Sequence, residues 1–305
     1  MKDSIIQVHD FRKVYGDLVA VDGISFEVNR GEIFGLLGPN GAGKTSTLEV
    51  LEGLRSSNGG SLKIMGVDPT RESRRLRNVI GVQLQTSGLP DNMRVDEAMR
   101  FFSAYHSVTP NYQLLNRLGL SEKITAQYHM LSTGLQRRLA LAVALAHNPP
   151  VVLLDEPTAG LDVPSRNELH DLLRELKANG TTMILATHDM AEAEKMADRV
   201  AILLQGRIVA TGTPREITST GAGFTKVSVR TEGNALFEPS LTFPGISRQT
   251  LKDEYAIYYS SDPGATVSAL IAYIESQGDK LIDLRVERPS LEERFLEITG
   301  RGGGQ

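Results

Sequence analysis

The segment that most constrains this 305-residue chain is a glycine-rich loop between an apolar run and a helix-forming run. EIFGLLG precedes the loop and has the pattern of a buried strand, and TSTLEVLEGL follows it with apolar residues at helical spacing. The loop, residues 38–45, reads GPNGAGKT and fits the phosphate-binding pattern G-x-x-x-x-G-K-[S/T]. A plain turn between strand and helix has no need of a Lys-Thr pair at the start of the helix. The segment therefore predicts a strand, a phosphate-binding loop and a helix in succession.

Each residue type in this loop has a part in binding a nucleotide. Glycines let the backbone fold tightly, so that its N–H groups and the positive end of the following helix face phosphate oxygens. Lys44 supplies a positive charge to the β- and γ-phosphates, and the Thr45 hydroxyl can ligate Mg²⁺. The candidate nucleotide-binding residues here are Gly38, Pro39, Asn40, Gly41, Ala42, Gly43, Lys44, Thr45 and Ser46.

Two acidic residues follow a second buried strand. The run VVLLDE is continuously apolar up to Asp155 and Glu156, as in the interior strands of a parallel sheet. Ligands of α/β sheets bind at the carboxyl ends of the strands. We expect Asp155 to hold Mg²⁺, directly or through water, and Glu156 to polarise the attacking water. A strand that ends in a turn with exposed acids is the alternative, and the loop at residues 38–45 disfavours it.

The order of patterns along the chain predicts an α/β protein with a second, smaller unit. Strand patterns alternate with helical ones up to about residue 214, which favours a parallel sheet. We expect a nucleotide-binding domain over residues 1–218 and a small α+β domain over residues 225–300. The turn-rich STGAG at residues 219–223 is the predicted linker, and residues 301–305 are predicted to be a disordered tail.

Composition excludes several classes of protein. The chain has no cysteine, which rules out a disulfide scaffold, a cysteine zinc site and a cysteine nucleophile. Its formal net charge of -4 argues against a polybasic protein, so we expect no nucleic-acid partner. No run of about 18 apolar residues occurs, so we expect no membrane-spanning helix. The first ten residues lack the apolar core of a signal peptide, so we expect no export of this chain.

Four further motifs, in order along residues 4–214, make the sequence resemble the ATP-binding cassette (ABC) family. LSTGL at residues 131–135 is similar to the family's LSGGQ, and AGLD at residues 159–162 to its dimer-contacting segment. LATHD at residues 185–189 contains His188 at the end of the next predicted strand, where the family has a histidine, and IGVQLQ resembles the family's IGYLPQ. The resemblance implies a P-loop NTPase cassette: a mixed sheet core, a helical subdomain and an N-terminal antiparallel β subdomain, here with a small α+β C-terminal domain.

The resemblance also implies roles for residues outside the glycine-rich loop. The signature residues Ser132, Thr133 and Gly134 would bind the γ-phosphate of ATP held by a second copy, and Asp162 would lie at that dimer contact. His188 would contact the γ-phosphate and orient the water. Gln85 would reach Mg²⁺ or the water, with Gln83 as the competing candidate. Tyr15 would stack on adenine, although a tyrosine between strands is more often a core residue.

The signature departs from the family pattern at two positions. Thr133 stands where the family usually has glycine, and Leu135 where it usually has glutamine. A β-branched residue would be strained at a position that needs positive φ, and leucine lacks the amide donor. We expect weaker or altered γ-phosphate sensing rather than loss of function.

The C-terminal RPSLEERFLEITGR resembles the tail of ATPases from drug exporters. The resemblance implies an ATPase subunit of an ABC exporter that works as an ATP-dependent homodimer with a separately encoded membrane subunit, peripheral at the cytoplasmic face of the cell membrane. We expect the C-terminal domain to regulate or stabilise the dimer. Two alternatives are a soluble ABC ATPase acting on ribosomes or DNA, and a nucleotide-gated module without hydrolysis. The single cassette and the intact Glu156 and His188 favour the exporter subunit.

Overall fold

The structure, a computed structural model, describes residues 3–84, 88–219, 224–233, 235–238 and 241–300. These residues form two compact units, which divide between Pro214 and Arg215. The strands are β1 (Ser4–Tyr15), β2 (Leu18–Asn29), β3 (Ile33–Leu37), β4 (Gly59–Ile64), β5 (Ile80–Gln83), β6 (Val151–Asp155), β7 (Thr182–Thr187), β8 (Arg199–Leu204), β9 (Arg207–Gly212), β10 (Thr225–Thr231), β11 (Ile246–Lys252), β12 (Tyr255–Ser260) and β13 (Leu281–Glu287). The α-helices are α1 (Lys44–Leu51), α2 (Ser73–Arg77), α3 (Val95–Tyr105), α4 (Tyr112–Arg117), α5 (Thr133–Ala144), α6 (Val163–Ala178), α7 (Met190–Met196), α8 (Pro214–Ser219), α9 (Pro263–Ser276) and α10 (Leu291–Ile298). Of the predicted linker, residues 219–223, the structure describes only Ser219, which is the last residue of α8. The other four linker residues and the predicted tail, residues 301–305, lie outside the described residues.

The larger unit is built on a six-stranded sheet with the order β5-β6-β7-β3-β8-β9. The first five of these strands run parallel, and β9 pairs antiparallel with β8. Every residue of β3, β6 and β7 is buried, as their continuous apolar runs predict. The α/β core with a mixed sheet is confirmed.

Two hydrophobic cores lie on opposite faces of this sheet. Successive side chains of a strand point to opposite faces, and on β6 Val151 and Leu153 belong to one core while Val152 and Leu154 belong to the other. The first core also contains α1 and the antiparallel sheet β2-β1-β4. Phe26 of β2 stacks on Phe34 of β3, with ring centroids 5.2 Å apart. This sheet is the N-terminal antiparallel subdomain that the resemblance implied.

The second core joins the central sheet to helices. It contains Val95 and Met99 of α3, Leu114 of α4 and Leu139 of α5, packed with Val152 of β6 and other residues of the sheet. These helices form the implied helical subdomain. No helix among the described residues is long and apolar enough to cross a bilayer.

The smaller unit is a four-stranded antiparallel sheet with the order β11-β12-β10-β13. Leu270 and Ile274 of α9 pack on Val227 and Val229 of β10 and on Tyr258 of β12. Strand β11 is not predicted from the sequence, because ISRQTLK lacks a strong strand pattern and takes its place through backbone pairing with β12.

Candidate functional site

The predicted phosphate-binding loop and the two acids meet at one edge of the central sheet. Strands β6, β7 and β3 are neighbours, and their carboxyl ends are Asp155, Thr187 and Leu37. The chain leaves these ends into Glu156, His188 and the glycine-rich loop, respectively. Ligands of α/β sheets bind at this edge.

The backbone of the loop needs glycine at two positions. Gly38 has φ 151°, and a Cβ there would lie 2.3 Å from the carbonyl oxygen of Leu203. Gly43 has φ 105°, and a Cβ there would lie 2.6 Å from the carbonyl oxygen of Ala20. Gly43 is also the N-cap of α1 and provides no side chain to cap it. The first backbone N–H groups of this eight-residue helix are therefore available to an anion.

Lys44 is buried under the loop that it follows. Its Nζ donates hydrogen bonds to the carbonyl oxygens of Gly38, at 2.7 Å, and Pro39, at 3.2 Å. The same Nζ lies 4.0 Å from Oε1 of Glu156. Burial lowers the pKa of the Lys44 ammonium, and the negative charges of Glu156 and Asp155 oppose that shift. The loop thus concentrates positive charge where phosphate groups would bind.

Thr45 and Asp155 form an oxygen pair suited to Mg²⁺. The Thr45 hydroxyl donates a hydrogen bond to Oδ2 of Asp155 at 3.3 Å. Burial raises the pKa of the Asp155 carboxyl, and the hydrogen bond from Thr45 opposes that shift. Mg²⁺ prefers oxygen ligands and keeps several from water and phosphate. Among the described residues no group of three His, Asp or Glu side chains could hold a metal alone, so phosphate and water would have to complete the ligand set.

Glu156 is a buried carboxylate fixed by its neighbours on β7 and the loop after it. Its Oε1 accepts a hydrogen bond from the backbone N–H of His188 at 3.0 Å and lies 2.7 Å from Nδ1 of the same residue. Its Oε2 accepts from the Thr187 hydroxyl at 3.2 Å. The His188 side chain is 56% exposed, so this histidine can reach both the carboxylate and solvent.

A cavity of about 640 Å³ opens over this edge of the larger unit. Nine of the predicted residues line it: Tyr15, Asn40, Gly41, Gly43, Lys44, Thr45, Ser46, Asp155 and Glu156. Five further lining residues are not predicted from the sequence: Leu18, Val19, Ala20, Gln205 and Gly206. Leu18 is exposed, whereas an apolar residue in a strand pattern is expected from the sequence to be buried. Tyr15 is one of the lining residues, and its hydroxyl donates a hydrogen bond to Oε2 of Glu49 at 3.2 Å.

The predicted signature residues and Asp162 lie at the N-terminal ends of helices α5 and α6. Ser132 caps α5 by accepting the N–H of Leu135 at 3.3 Å, and Asp162 caps α6 by accepting the N–H of Ser165 at 3.0 Å. Ser132, Thr133, Gly134 and Asp162 are not among the described residues that line the cavity.

The structure bears on the expected strain at Thr133, and it leaves the role of Gln85 a prediction. Thr133 is the first residue of α5 and is not among the residues with positive φ, so its β-branched side chain causes no strain. Gln85 lies outside the described residues, and the competing Gln83 is buried in β5.

Comparison with known proteins agrees with these motifs. The ABC transporter family matches residues 21–159. The chain is 36% identical to the Nod factor export ATP-binding protein I of Ralstonia nicotianae, over 97% of this chain and 94% of that protein. It is 31% identical to a linearmycin resistance ATP-binding protein of Bacillus subtilis, over 97% of this chain and 99% of that protein.

A solved structure of the ATP-binding subunit of an ABC transporter superposes with a TM-score of 0.67. The two are 27% identical, and the match covers 70% of this chain and 92% of that one. Similarity of sequence over nearly the whole chain, together with the loop, the acid pair and the shared fold, leads to one conclusion: this chain belongs to the ABC transporter family, as an ATP-binding, ATP-hydrolysing subunit.

Proposed function

We propose that this chain is the ATPase subunit of an exporter and drives a separately encoded membrane subunit. Proteins named for Nod factor export and linearmycin resistance support the direction of transport, because they match this chain over nearly their whole lengths. A match of that extent takes in the C-terminal unit as well as the cassette. The proposal also places the chain at the cytoplasmic face of the membrane as a peripheral subunit, with no nucleic-acid partner.

One observation carries the hydrolytic part of the proposal: the buried Glu156 carboxylate lies between His188 and Lys44, with Oε1 2.7 Å from Nδ1 of His188 and 4.0 Å from Nζ of Lys44. The loop N–H groups and Lys44 would bind the phosphates of ATP. Glu156 would accept a proton from the attacking water, and His188 would hold that carboxylate and face the γ-phosphate.

Thr45 and Asp155 would hold Mg²⁺ at this site. The pair supplies a hydroxyl and a carboxylate oxygen, which suit this ion. When bound, the ion would offset negative charge on the β- and γ-phosphates. Gln85 remains a proposed further ligand.

We further propose that two copies assemble around ATP. The cavity of one chain is lined by residues of the loop and by the acids, whereas Ser132, Thr133, Gly134 and Asp162 are not among the described residues that line it. A two-fold dimer would let the signature residues of each copy face the phosphates bound by the other, with Asp162 at the contact. Isologous two-fold dimers are the commonest symmetric assembly.

Two measurements on the full chain test the proposal. Purified protein with MgATP should release phosphate, and the chain should copurify with a membrane protein of several spans encoded beside it. Phosphate release without such a partner, or a ribosome- or DNA-stimulated activity in its place, would contradict the exporter role but leave the ATPase assignment intact.

A further inference from the structure

A buried pair of polar residues joins helices α6 and α7 of the larger unit. His170 of α6 is 2% exposed, and Glu192 of α7 is 4% exposed. Nε2 of His170 and Oε1 of Glu192 form a hydrogen bond of 3.2 Å. Neither residue is among the described residues that line the nucleotide cavity, so a part in the reaction would have to be indirect.

This pair is a poor source of stability because it is only partly satisfied. Nδ1 of His170 and Oε2 of Glu192 are buried and have no hydrogen-bond partner among the residues that the structure describes. Burying such atoms costs free energy, and apolar side chains of similar volume are often as stable as a buried polar pair, or more stable. A hydrogen bond, unlike an apolar contact, weakens steeply when its angle changes. The pair therefore offers a fixed position of one helix on the other.

Glu192 is one end of a continuous series of hydrogen bonds that reaches the proposed base. Its backbone N–H donates to Oδ1 of Asp189, the N-cap of α7, at 2.9 Å. The backbone N–H of Asp189 donates to the Thr187 hydroxyl at 3.0 Å, and that hydroxyl donates to Oε2 of Glu156 at 3.2 Å. His188, between Thr187 and Asp189, holds the other oxygen of the same carboxylate. A shift of the first turn of α7 would therefore move the groups that fix this carboxylate.

Helix α6 begins at the segment that we propose to contact a second copy, since Asp162 is its N-cap. One turn before His170, Nη1 of Arg166 lies 3.6 Å from Oδ2 of Asp189. Both side chains of this ion pair are partly exposed, and such pairs contribute little. The buried hydrogen bond between His170 and Glu192 is therefore the stronger of these two ties between α6 and α7.

We propose that His170 is a positioning residue for ATP hydrolysis. Its hydrogen bond to Glu192 sets the position of α7 on α6, and the series of hydrogen bonds from Glu192 then holds the carboxylate of Glu156. The inference rests on the proposed role of Glu156 as the base. Because His170 is remote from the cavity lining, its loss should lower kcat and leave the affinity for ATP unchanged.

A double variant of the full chain separates positioning from stability. H170F/E192M replaces both polar side chains by apolar ones of similar size, so that neither leaves a buried partner unpaired. We expect the free energy of unfolding to equal or exceed that of the natural chain. We expect kcat to fall by about tenfold or more, since small displacements of reacting groups have effects of that size. Urea unfolding measures the stability, phosphate release measures kcat, and titration calorimetry measures the affinity for MgATP.

Three single variants supply the rescue and the controls. His170→Gln places an amide at about the position of Nε2 and should keep kcat within about threefold of the natural chain. His170→Asn carries the same amide on a shorter side chain that falls short of Glu192, so its kcat should fall about tenfold. Leu173→Met changes the buried face of the same helix at nearly constant volume and should keep kcat within about twofold. Circular dichroism checks that each variant is folded at the temperature of the assay.

Glu156→Gln, measured beside these variants, separates this inference from the proposed base. If Glu156→Gln turned over normally, the base would be another residue and the positioning role would fall with it. If Glu156→Gln lost turnover while H170F/E192M or His170→Asn kept the natural kcat, only the positioning role would be wrong. A loss of kcat that merely followed the loss of stability, or an equal loss of ATP affinity, would also overturn the proposal.

Discussion

The guanidinium of Arg137 donates a hydrogen bond to the backbone carbonyl oxygen of Glu156 across 2.5 Å. Glu156 has φ 49°, a left-handed conformation that non-glycine residues adopt uncommonly. Its own N–H is held by the carbonyl oxygen of Ala186 at 2.9 Å. Arg137 belongs to α5, the helix that Ser132 caps. One side chain therefore links the signature helix to the backbone that presents the proposed catalytic carboxylate.

Replacing Arg137 should lower kcat more than it changes the KM for ATP. Arg137→Gln loses a charged hydrogen bond to the strained backbone of Glu156, and such bonds contribute about 1.5–3 kcal/mol. We expect a fall in kcat of about tenfold or more, with ATP affinity within about twofold. Arg137→Lys keeps a charged donor, so its kcat should lie between those of the natural chain and Arg137→Gln. Steady-state kinetics measures kcat and KM, and titration calorimetry measures the affinity for ATP. If KM rose by the same factor by which kcat fell, Arg137 would be assigned to ATP binding instead.

Lys44→Ala should abolish productive binding of ATP. The substitution removes the ammonium that lies under the loop, where phosphate charge would be concentrated. Titration calorimetry with MgATP measures the affinity, and Lys63→Ala on the exposed face of β4 is the control. If the Lys44 variant bound and hydrolysed ATP normally, residues 38–45 would be only a turn.

Glu156→Gln should keep ATP affinity while turnover falls by about 10²–10⁴, the usual contribution of a general base. Glutamine preserves the size of the side chain and most of its contacts to Thr187 and His188, but cannot take a proton from water. Phosphate release measures turnover, and the exposed Glu122→Gln is the matched control. Unchanged turnover would move the base to another residue.

A disulfide between Asn40→Cys and Thr133→Cys should form between two chains and depend on ATP. Both positions are exposed, and the natural chain has no competing cysteine. The proposed dimer brings the loop of one copy to the signature of the other, so gel electrophoresis after oxidation should show a covalent dimer with ATP. Adding Lys44→Ala to this variant should abolish it. A crosslink within one chain counts against the arrangement.

Stability should fall with rising pH because of Glu52. Burial raises the pKa of its carboxyl to about 8, and the charges of Asp155 and Glu49 act in the same direction. Between the unfolded pKa of 4.5 and the folded pKa of about 8, the folded chain holds a proton that the unfolded chain releases. The free energy of unfolding should therefore drop by up to about 1.4 kcal/mol per pH unit.

Urea titrations at pH 6, 7 and 8, without nucleotide or Mg²⁺, measure that slope. Glu52→Gln should flatten it and should be more stable than the natural chain at pH 8, whereas Glu122→Gln should not. An identical slope in Glu52→Gln would mean that another group carries the pH dependence.

Much of the fold follows from local sequence. Strands β3, β6 and β7 are continuous apolar runs, which predict buried parallel strands, and the loop and the acids after them predict the strand ends that carry the site. Helix α10 has the same limits, Leu291–Ile298, as its amphipathic pattern LEERFLEI predicts.

What the sequence does not predict comes from contacts between distant segments. Leu18 and Gln205 line the cavity because turns far apart in the chain meet there. The hydrogen bonds from Thr187 and His188 to Glu156 require two neighbouring strands in one register. Strand β11 owes its conformation to β12, since its own residues alternate weakly.

Strand β6 ends at Asp155 and leads directly into Glu156, and its alternate side chains lie in the two hydrophobic cores. A void opened under Leu153, on the side of α1, and one opened under Leu154, on the side of the helical subdomain, would tilt β6 in opposite senses. Either tilt would change the distances from Asp155 to Thr45 and from Glu156 to His188. Substitutions deep in the helical subdomain should therefore disturb hydrolysis without touching the nucleotide, and a pair of opposed substitutions, one in each core, should partly restore it.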